Sequence, residues 1–204
     1  MNSSPVAEPM PRSVLVAEDE ALLARSLRAD LDALGMTVIG PASDGRKAIE
    51  LAREERPDIA LLDLRMPEMD GLQASKVLGG EMGIPTVVIS GYSDSEYVET
   101  ASHNGVYAYL LKPVSIESLR VTMRVAWRRY VDQVGLRGEV DSLNRRLEER
   151  KIIERAKGLI MERLGLSESD AMRRLQKQAR DARRPMVVLA KSVFEAQEQL
   201  DQDG

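Results

Sequence analysis

The chain has 204 residues, of which 43% are hydrophobic and 30% charged, so it holds enough apolar material for a folded core. It contains no cysteine and a single histidine, His103, which excludes a disulfide framework and a Cys/His zinc site and argues against a Ser-His-Asp triad. The net charge is −4, yet residues 140–200 carry 14 basic and 10 acidic side chains. This asymmetry indicates either an anionic partner for the C-terminal part or simply solvated helix faces.

From the composition of the first residues we expect no targeting signal there. Residues 1–11 contain three prolines and lack the apolar run of a signal peptide, so we expect a disordered N-terminal segment. No stretch of the sequence approaches the 18 apolar residues or so that a membrane-spanning helix needs. We therefore expect a cytoplasmic protein with no membrane partner.

Short runs of Val, Ile and Leu then alternate with longer amphipathic segments. The runs are typical of strands buried on both faces, and the leucines between the first two recur at helical spacing until Gly35. This alternation predicts a parallel sheet with helices on both sides, which is an α/β fold. The predicted strands are 13–17, 37–40, 58–64, 86–90 and 108–112.

From Ser115 onward the sequence predicts nearly continuous helix. Apolar residues spaced three and four apart, among them Leu136, Val140, Leu143 and Leu147, form a seam that favours a two-stranded coiled coil and hence a homodimer. An intramolecular helical hairpin is the alternative, and Gly135 and Gly138 mark a hinge or a shift in register. Three closing helices are predicted at about 150–164, 168–182 and 186–200, with Ser167 capping the second of these.

Acidic and polar residues follow the predicted strands, at the points where functional groups gather in an open parallel sheet. Glu18 and Asp19 follow the first strand, Asp63 ends the third, Ser90 ends the fourth and Lys112 ends the fifth. Converging carboxylates repel one another unless a cation binds, and their oxygen ligands suit Mg²⁺. A carboxylate held against Mg²⁺ is a suitable nucleophile for a phosphoryl group, to which a lysine and a hydroxyl can then bind.

The segments VAEDE, LLDLRMPEMDG, VVISGYS and YLLKP resemble the signature segments of the receiver domain of two-component response regulators. The resemblance implies a five-stranded, flavodoxin-like parallel sheet flanked by five helices, and phosphorylation of Asp63 by a sensor histidine kinase. It also implies that Glu18, Asp19 and Asp63 bind Mg²⁺ and that Lys112 and Ser90 bind the phosphate. The aromatic switch residue would be Tyr109, and the Lys112–Pro113 bond would be cis. Glu18 departs from the more common aspartate, and Ser90 departs from the more common threonine.

The C-terminal part differs from a DNA-binding helix-turn-helix. The segment before the last helix, RDARRP, has no glycine, and the last helix carries one basic residue, Lys191, up to residue 200. Basic residues instead occupy the two preceding helices and form one face of the second. This pattern favours phosphate contacts with folded RNA. The candidates for these contacts are Lys157, Arg173, Lys177, Arg180 and Arg184.

The segment IIERAKGLIMERLGLSESDAMRRLQKQARDARRPMVVLAKSVFE resembles the ANTAR domain of transcription antitermination regulators. The resemblance implies binding of paired hairpins in nascent transcripts, so that a terminator does not form. Small and apolar residues at helical spacing usually pack, so we expect a core, and not RNA contacts, from Met161, Ala171, Leu175, Ala179, Leu189, Val193 and Phe194. The domains predicted are a disordered segment at 1–11, the receiver at 12–128, a helical connector at 129–149, a three-helix ANTAR-like domain at 150–200 and a tail at 201–204.

Two other functions for the helical end stay open. It could bind a protein partner or only dimerise, in which case the basic face meets an acidic surface, or it could bind duplex DNA. The sequence after residue 130 offers no catalytic constellation, so we expect no enzyme beyond phosphoryl acceptance by the receiver and its slow dephosphorylation.

Overall fold

The computed structural model describes residues 10–91 and 105–202, with side chains up to residue 194. Most of the N-terminal segment, His103 and the end of the predicted tail therefore lie outside the described residues. The contacts of the chain divide it into two compact units, with the boundary between Val134 and Gly135. In the part of the chain that is described, no helix is both long enough and apolar enough to cross a membrane.

The first unit is built on one parallel sheet of five strands, in the order β2-β1-β3-β4-β5. This confirms the α/β, flavodoxin-like fold predicted from the sequence. Two strands, β2 and β5, extend beyond their predicted bounds to Ala42 and back to Val106. The strands are β1 (Ser13–Ala17), β2 (Thr37–Ala42), β3 (Ile59–Asp63), β4 (Thr86–Ser90) and β5 (Val106–Leu111).

The central strands explain why the apolar runs are uninterrupted. Every residue of β3 and β4 is buried, because helices cover both faces of the sheet. Leu15 and Leu62 face one apolar cluster, and Val14 and Leu61 face the other. Alternate residues of β1 and β3 thus supply two separate cores.

Three helices follow the first three strands: α1 (Ala21–Ala33), α2 (Gly45–Glu55) and α3 (Gly71–Gly80). Two of them begin at a side-chain cap. Asp44 accepts a hydrogen bond from the Lys47 N–H at the start of α2, and Asp70 forms a reciprocal capping box with Gln73 at the start of α3. The fourth of the five helices expected for a receiver would fall among residues 92–104, outside the described residues.

The backbone at the end of α3 lies in direct contact with the backbone of the loop before β5. A Cβ placed on Gly79 would lie 2.2 Å from the Gly105 Cα, and one on Gly105 would lie 2.6 Å from the Gly79 Cα. Gly105 also has a φ of +94°, which L side chains rarely adopt. Both positions therefore require glycine for steric reasons.

The next helix, α4 (Ile116–Leu164), crosses the boundary between the two units. Its first turns pack on the sheet through Leu119, Met123 and Ala126, which are buried in the first core. Further along, the Tyr130 hydroxyl donates a hydrogen bond to the Gly83 carbonyl at 2.9 Å. The first of the three predicted closing helices, 150–164, is the last part of α4 and not a separate helix, because neither Gly135 nor Gly138 ends it.

The second unit adds α5 (Glu168–Ala182) and α6 (Met186–Gln202) to the end of α4. Gly165, with a φ of +62°, lies in the turn before α5, and Ser167 caps that helix by accepting the Asp170 N–H. The buried core of the unit consists of Ala156, Ile160, Ala171, Leu175 and Ala190. Met161, Val193 and Phe194 pack against it as predicted, whereas Ala179 and Leu189 are half-buried outside this cluster.

A row of aliphatic side chains on α4 remains exposed. Leu136, Val140, Leu143 and Leu147 are 50–64% exposed and recur at intervals of four, three and four residues. These four residues are called the seam below. Exposed apolar residues occur singly on most proteins, but a regular row on one helix indicates a contact surface.

Candidate functional site

The residues predicted to form the acidic pocket lie at one edge of the sheet. Asp63 is the last residue of β3 and Ser90 is the last of β4, while Glu18 follows β1 and Lys112 follows β5. Because the sheet is parallel, its strands all end at this edge. The fold thus brings together side chains that are far apart in the sequence.

Lys112 joins two carboxylates of the pocket. Its Nζ atom lies 2.8 Å from Asp63 Oδ1 and 3.4 Å from Glu18 Oε2. The Glu18 and Asp63 side chains are 1% and 7% exposed, whereas the Lys112 side chain is 31% exposed and reaches solvent. The Glu20 N–H also donates a hydrogen bond to Glu18 Oε1 at 3.2 Å, which fixes that carboxylate.

Burial dominates the acid–base properties of the two carboxyl groups. It raises the pKa of Glu18, and the neighbouring charge of Asp63 raises it further. It likewise raises the pKa of Asp63, although the hydrogen bond from Lys112 opposes the rise. Burial alone would lower the pKa of Lys112, but the hydrogen bond to Asp63 and the carboxylate charges outweigh it, and the pKa is raised.

Glu18, Asp19 and Asp63 could hold a metal ion. Each offers one carboxylate oxygen, and the three oxygens lie within 4.8 Å of one another. Three negative oxygens this close repel one another, and hard oxygen ligands of this kind are those that Mg²⁺ prefers. The donor set therefore fits Mg²⁺, and Asp19, which is exposed, gives the ion access from solvent.

Ser90 and Tyr109 lie on the neighbouring strands. Ser90 is buried, and its carbonyl accepts the Lys112 N–H at 2.9 Å, which fixes the start of the lysine segment relative to β4. Tyr109 is half-buried against a cluster that contains Leu64 and Val88, and burial raises its pKa. The segment after Ser90, which the receiver resemblance expects to move, lies outside the described residues from position 92 onward. The roles assigned to these residues stay predictions.

The second unit presents a basic face on α5. Arg173, Lys177, Arg180 and Arg184 are exposed, and their spacing places them along one side of the helix and the turn after it. These four residues are called the basic stripe below, and they extend over about 16 Å. Among the side chains that the structure describes, Arg173 pairs with Asp170 at 2.8 Å, and no ion pair is found for the other three.

Lys157 differs from the other predicted RNA contacts. Its side chain is only 10% exposed, and its Nζ atom lies 2.7 Å from Glu168 Oε1 and also contacts Glu154. Arg155, two residues before Lys157 on α4, lies with its guanidinium 5.3 Å from the centre of the Phe194 ring. Lys157 and Arg155 of α4 are thus engaged within the unit, whereas the basic stripe on α5 is exposed.

The sequence could have indicated one of the two partners of Lys157. Glu154 lies three residues before it, a spacing at which oppositely charged side chains meet on a helix. Glu168 belongs to the next helix, and only the turn at Gly165 brings it to Lys157, so spacing along the chain carries no signal for that contact.

Two family profiles match the chain. The family described as "Response regulator receiver domain" matches residues 14–124, and the family described as "ANTAR domain" matches residues 141–193. Together they cover the two units of the structure. Neither profile describes a catalytic output domain, so the chain matches families of regulators.

Curated relatives agree with this assignment. The transcriptional regulatory protein PdtaR of Mycobacterium tuberculosis is 40% identical over 186 residues, which is 91% of this chain and 91% of PdtaR. The DNA-binding response regulator MtrA of Mycobacterium leprae is 35% identical over 126 residues, which is 61% of this chain and 55% of MtrA.

Solved structures match the receiver fold. The receiver domain of a modulated diguanylate cyclase from Desulfovibrio desulfuricans has a TM-score of 0.56 and 31% identity, covering 61% of this chain and 99% of that one. The receiver domain of AraT from Geobacillus stearothermophilus has a TM-score of 0.53 and 33% identity, covering 59% of this chain and 96% of that one. With its parallel sheet, its acidic pocket and its C-terminal helices, the chain belongs to the response regulators that combine a receiver domain with an ANTAR domain.

Proposed function

We propose that this chain is a cytoplasmic transcription antiterminator whose binding to RNA is controlled by phosphorylation of Asp63. The observation that carries the proposal is the buried Asp63 carboxylate, held 2.8 Å from the Lys112 ammonium beside Glu18 and Asp19. A sensor histidine kinase would supply the phosphoryl group. The output would be recognition of paired hairpins in a nascent transcript.

The phosphoryl transfer follows from the chemistry of the pocket. A carboxylate oxygen of Asp63 attacks the phosphorus of a phosphohistidine, a P–O bond forms, the P–N bond breaks, and the imidazole nitrogen takes up a proton. Mg²⁺ bound by Glu18, Asp19 and Asp63 would offset the charge of the phosphate oxygens. Lys112 would then exchange a carboxylate partner for a phosphate oxygen, and the Ser90 hydroxyl would donate a hydrogen bond to another.

Phosphorylation changes the charge of a buried site. It adds about two negative charges next to Glu18, whose pKa is already raised by burial and by the charge of Asp63. The new charge favours movement of positive and hydrogen-bonding groups toward the phosphate, and Tyr109 can rotate inward as the segment after Ser90 moves. Slow hydrolysis of the acyl phosphate would return the receiver to its resting state.

The basic stripe supports RNA as the ligand of the second unit. Lys177, Arg180 and Arg184 project their charges into solvent at helical spacing, as phosphate contacts require. The described surface of this unit shows no row of exposed aromatic side chains on which unpaired bases could stack. Folded RNA, recognised through its phosphates and shape, fits this surface better than single strands.

The seam supports a homodimer. In heptad notation Val140 and Leu147 occupy a positions and Leu136 and Leu143 occupy d positions. The β-branched Val140 at an a position, with leucine at the d positions, favours two strands over three or four. The four residues of two copies would bury on the order of 800 Å², below the size of a stable interface. We therefore expect a weak dimer that needs a second contribution, such as phosphorylation of the receiver.

Cysteine crosslinking tests this dimer, because the chain has no cysteine of its own. Val140→Cys should form a disulfide between two copies on mild oxidation when the seams pair in parallel and in register. Arg145→Cys, on the same helix but away from the seam, is the matched control and should crosslink much less. Crosslinking only between a Leu136→Cys copy and a Leu147→Cys copy would indicate an antiparallel pair.

Binding to a two-hairpin RNA tests the whole proposal. Gel shifts would compare the unmodified protein, the protein with beryllofluoride and Mg²⁺ as a phosphate mimic, and Asp63→Ala with the same additions. We expect tight binding only for the wild type with the mimic. If the mimic drives dimerisation but no form binds structured RNA, the output is a protein-interaction module, and preference for duplex DNA would indicate a DNA-binding regulator.

The salt dependence of binding identifies the contact face. Substitution of a phosphate-contacting residue lowers the slope of log K against log salt by about one. Arg180→Gln should show this effect. Arg46→Gln, an equally exposed basic residue on α2 of the receiver, should leave the slope unchanged.

A further inference from the structure

Lys157 lies at a contact between two helices of the second unit. Glu154, three residues earlier on α4, and Glu168, in the first turn of α5, both bind its ammonium group. The two carboxylate side chains are 49% and 71% exposed, whereas the lysine between them is 10% exposed. The cation is therefore enclosed by the protein, while its partners form the outer surface of the cluster.

The cluster is chemically complete without a ligand. Hydrogen bonds to Glu154 and then to Glu168 raise the pKa of Lys157, and the bond from Lys157 lowers the pKa of Glu168. Lys157 and Glu168 are consequently charged at neutral pH. A phosphate group could reach the ammonium only by displacing a carboxylate that already carries the same sign of charge.

The contact with Glu168 fixes the beginning of α5. Ser167 caps the start of α5, since its hydroxyl accepts the Asp170 N–H, and Glu168 ties the same turn to α4. The basic stripe begins at Arg173, on the next turn of the same helix. The direction in which the stripe faces therefore depends on how the first turn of α5 is held.

We propose that Lys157 is a positioning residue for RNA binding, which holds the start of α5 through Glu168 and so orients the basic stripe, and that it does not itself contact phosphate. This inference rests on the proposed function, because it assigns a role within the same RNA surface. It replaces the phosphate contact expected for Lys157 from its charge alone.

Glu168→Gln tests the proposal by the sign of its effect. Removal of a negative charge near a nucleic-acid surface should tighten binding when electrostatics alone decide. The variant keeps an oxygen that can accept from Lys157 but loses the ion pair, and the weaker tie should instead weaken binding. We expect a loss of affinity of about five-fold or more because misplaced contacts are lost together. Asp181→Asn, an exposed acid later on the same helix, is the matched control and should bind as well as the wild type or slightly better.

Two substitutions of the lysine complete the test, with the full-length protein, the two-hairpin RNA and the phosphate mimic. Lys157→Met should weaken binding without changing the salt slope, whereas Lys177→Met should lower the slope by about one. Lys157→Arg, which can still bridge both carboxylates, should bind nearly as the wild type does. Circular dichroism and thermal melts establish which variants are folded, and Glu168→Gln keeps the test decisive if Lys157→Met does not fold.

Several results would overturn the proposal. A lower salt slope for Lys157→Met would show that Lys157 contacts phosphate. Unchanged or tighter RNA binding by Glu168→Gln would show that the cluster contributes only to the stability of the unit. Failure of the proposed function is distinguishable, because the wild type itself would then not bind the RNA. A wild type that binds and a Glu168→Gln protein that binds equally well would remove only the positioning role.

Discussion

Two glycines in α4 give a quantitative test of the helix that crosses the boundary between the units. Gly135 and Gly138 lie within α4, and a Cβ built at either position meets no atom within 4 Å. Alanine therefore fits without strain at both. Glycine in a helix costs about 1 kcal/mol relative to alanine, so Gly135→Ala with Gly138→Ala should stabilise the local helix by about 2 kcal/mol.

Hydrogen exchange measures this effect where it occurs. Because about 1.4 kcal/mol corresponds to a tenfold change, amides near residues 136–142 that exchange by local opening should slow about 5-fold in each single variant and about 30-fold in the double variant. Amides of the sheet core, such as those of β3, should not change. Gly165→Ala is the opposing control, because a φ of +62° costs an L side chain about 1–2 kcal/mol.

A double variant that exchanges at the wild-type rate around these positions would refute the reasoning. It would mean that this stretch of α4 is not helical in solution, or that the glycines already pack against another chain. Slower exchange in the double variant would support the continuous helix, and faster exchange near residue 165 in Gly165→Ala would support the left-handed backbone conformation of Gly165 at the end of α4.

Four further predictions concern stability. Mg²⁺ at about 100 times its Kd should stabilise the receiver by about 2.7 kcal/mol in thermal melts, and Asp63→Asn should remove most of this gain. Burial raises the pKa of Glu18 and of Asp63, so their contribution to the stability of the metal-free fold is present at low pH and is lost as pH rises through the raised values. Protonated carboxyl groups do not bind Mg²⁺, and melts over a pH series should therefore show the gain from Mg²⁺ shrinking toward acid pH. Leu175→Ala, at a fully buried position, should cost the second unit about 2–5 kcal/mol in urea denaturation, and an intact Mg²⁺ response of the receiver would show that the loss is confined to that unit. Asp70→Ala should cost about 1 kcal/mol by loss of the Gln73 N–H bond, whereas Asp70→Asn should be nearly neutral, and equal urea midpoints for the two variants would contradict the capping role.

The sheet and the acidic pocket could be predicted because their signals are local. Each strand is an apolar run, and each pocket residue sits where such a run ends, so the parallel arrangement alone places Glu18, Asp63 and Lys112 together. The sequence did not predict which side chains form ion pairs within the pocket. That Lys112 binds both carboxylates, and binds Asp63 more closely, depends on side-chain directions set by the packed sheet.

The helical half shows where prediction from spacing fails. The bounds of α5 were predicted correctly, because Ser167 is a local signal for the start of the helix and the turn after Ala182 is one for its end. The connector and the closing helix predicted at about 150–164 form one helix, as the nearly continuous helical pattern from Ser115 onward allows, because neither Gly135 nor Gly138 ends it. The burial of Lys157 was missed because its second partner, Glu168, comes from beyond a turn.

The close contact between Gly79 and Gly105 bears on how sequence variation in this chain should be interpreted. Both positions lie away from the acidic pocket, yet any side chain at either one would collide with backbone, which cannot move aside as a flexible side chain can. A saturation library scored for folded protein should therefore be almost empty at these two sites, while Gly80, one residue on with open space around it, should accept many substitutions. Intolerance to substitution at Gly79 and Gly105 would reflect the distance between two backbones, and it should not be mistaken for a role in phosphorylation.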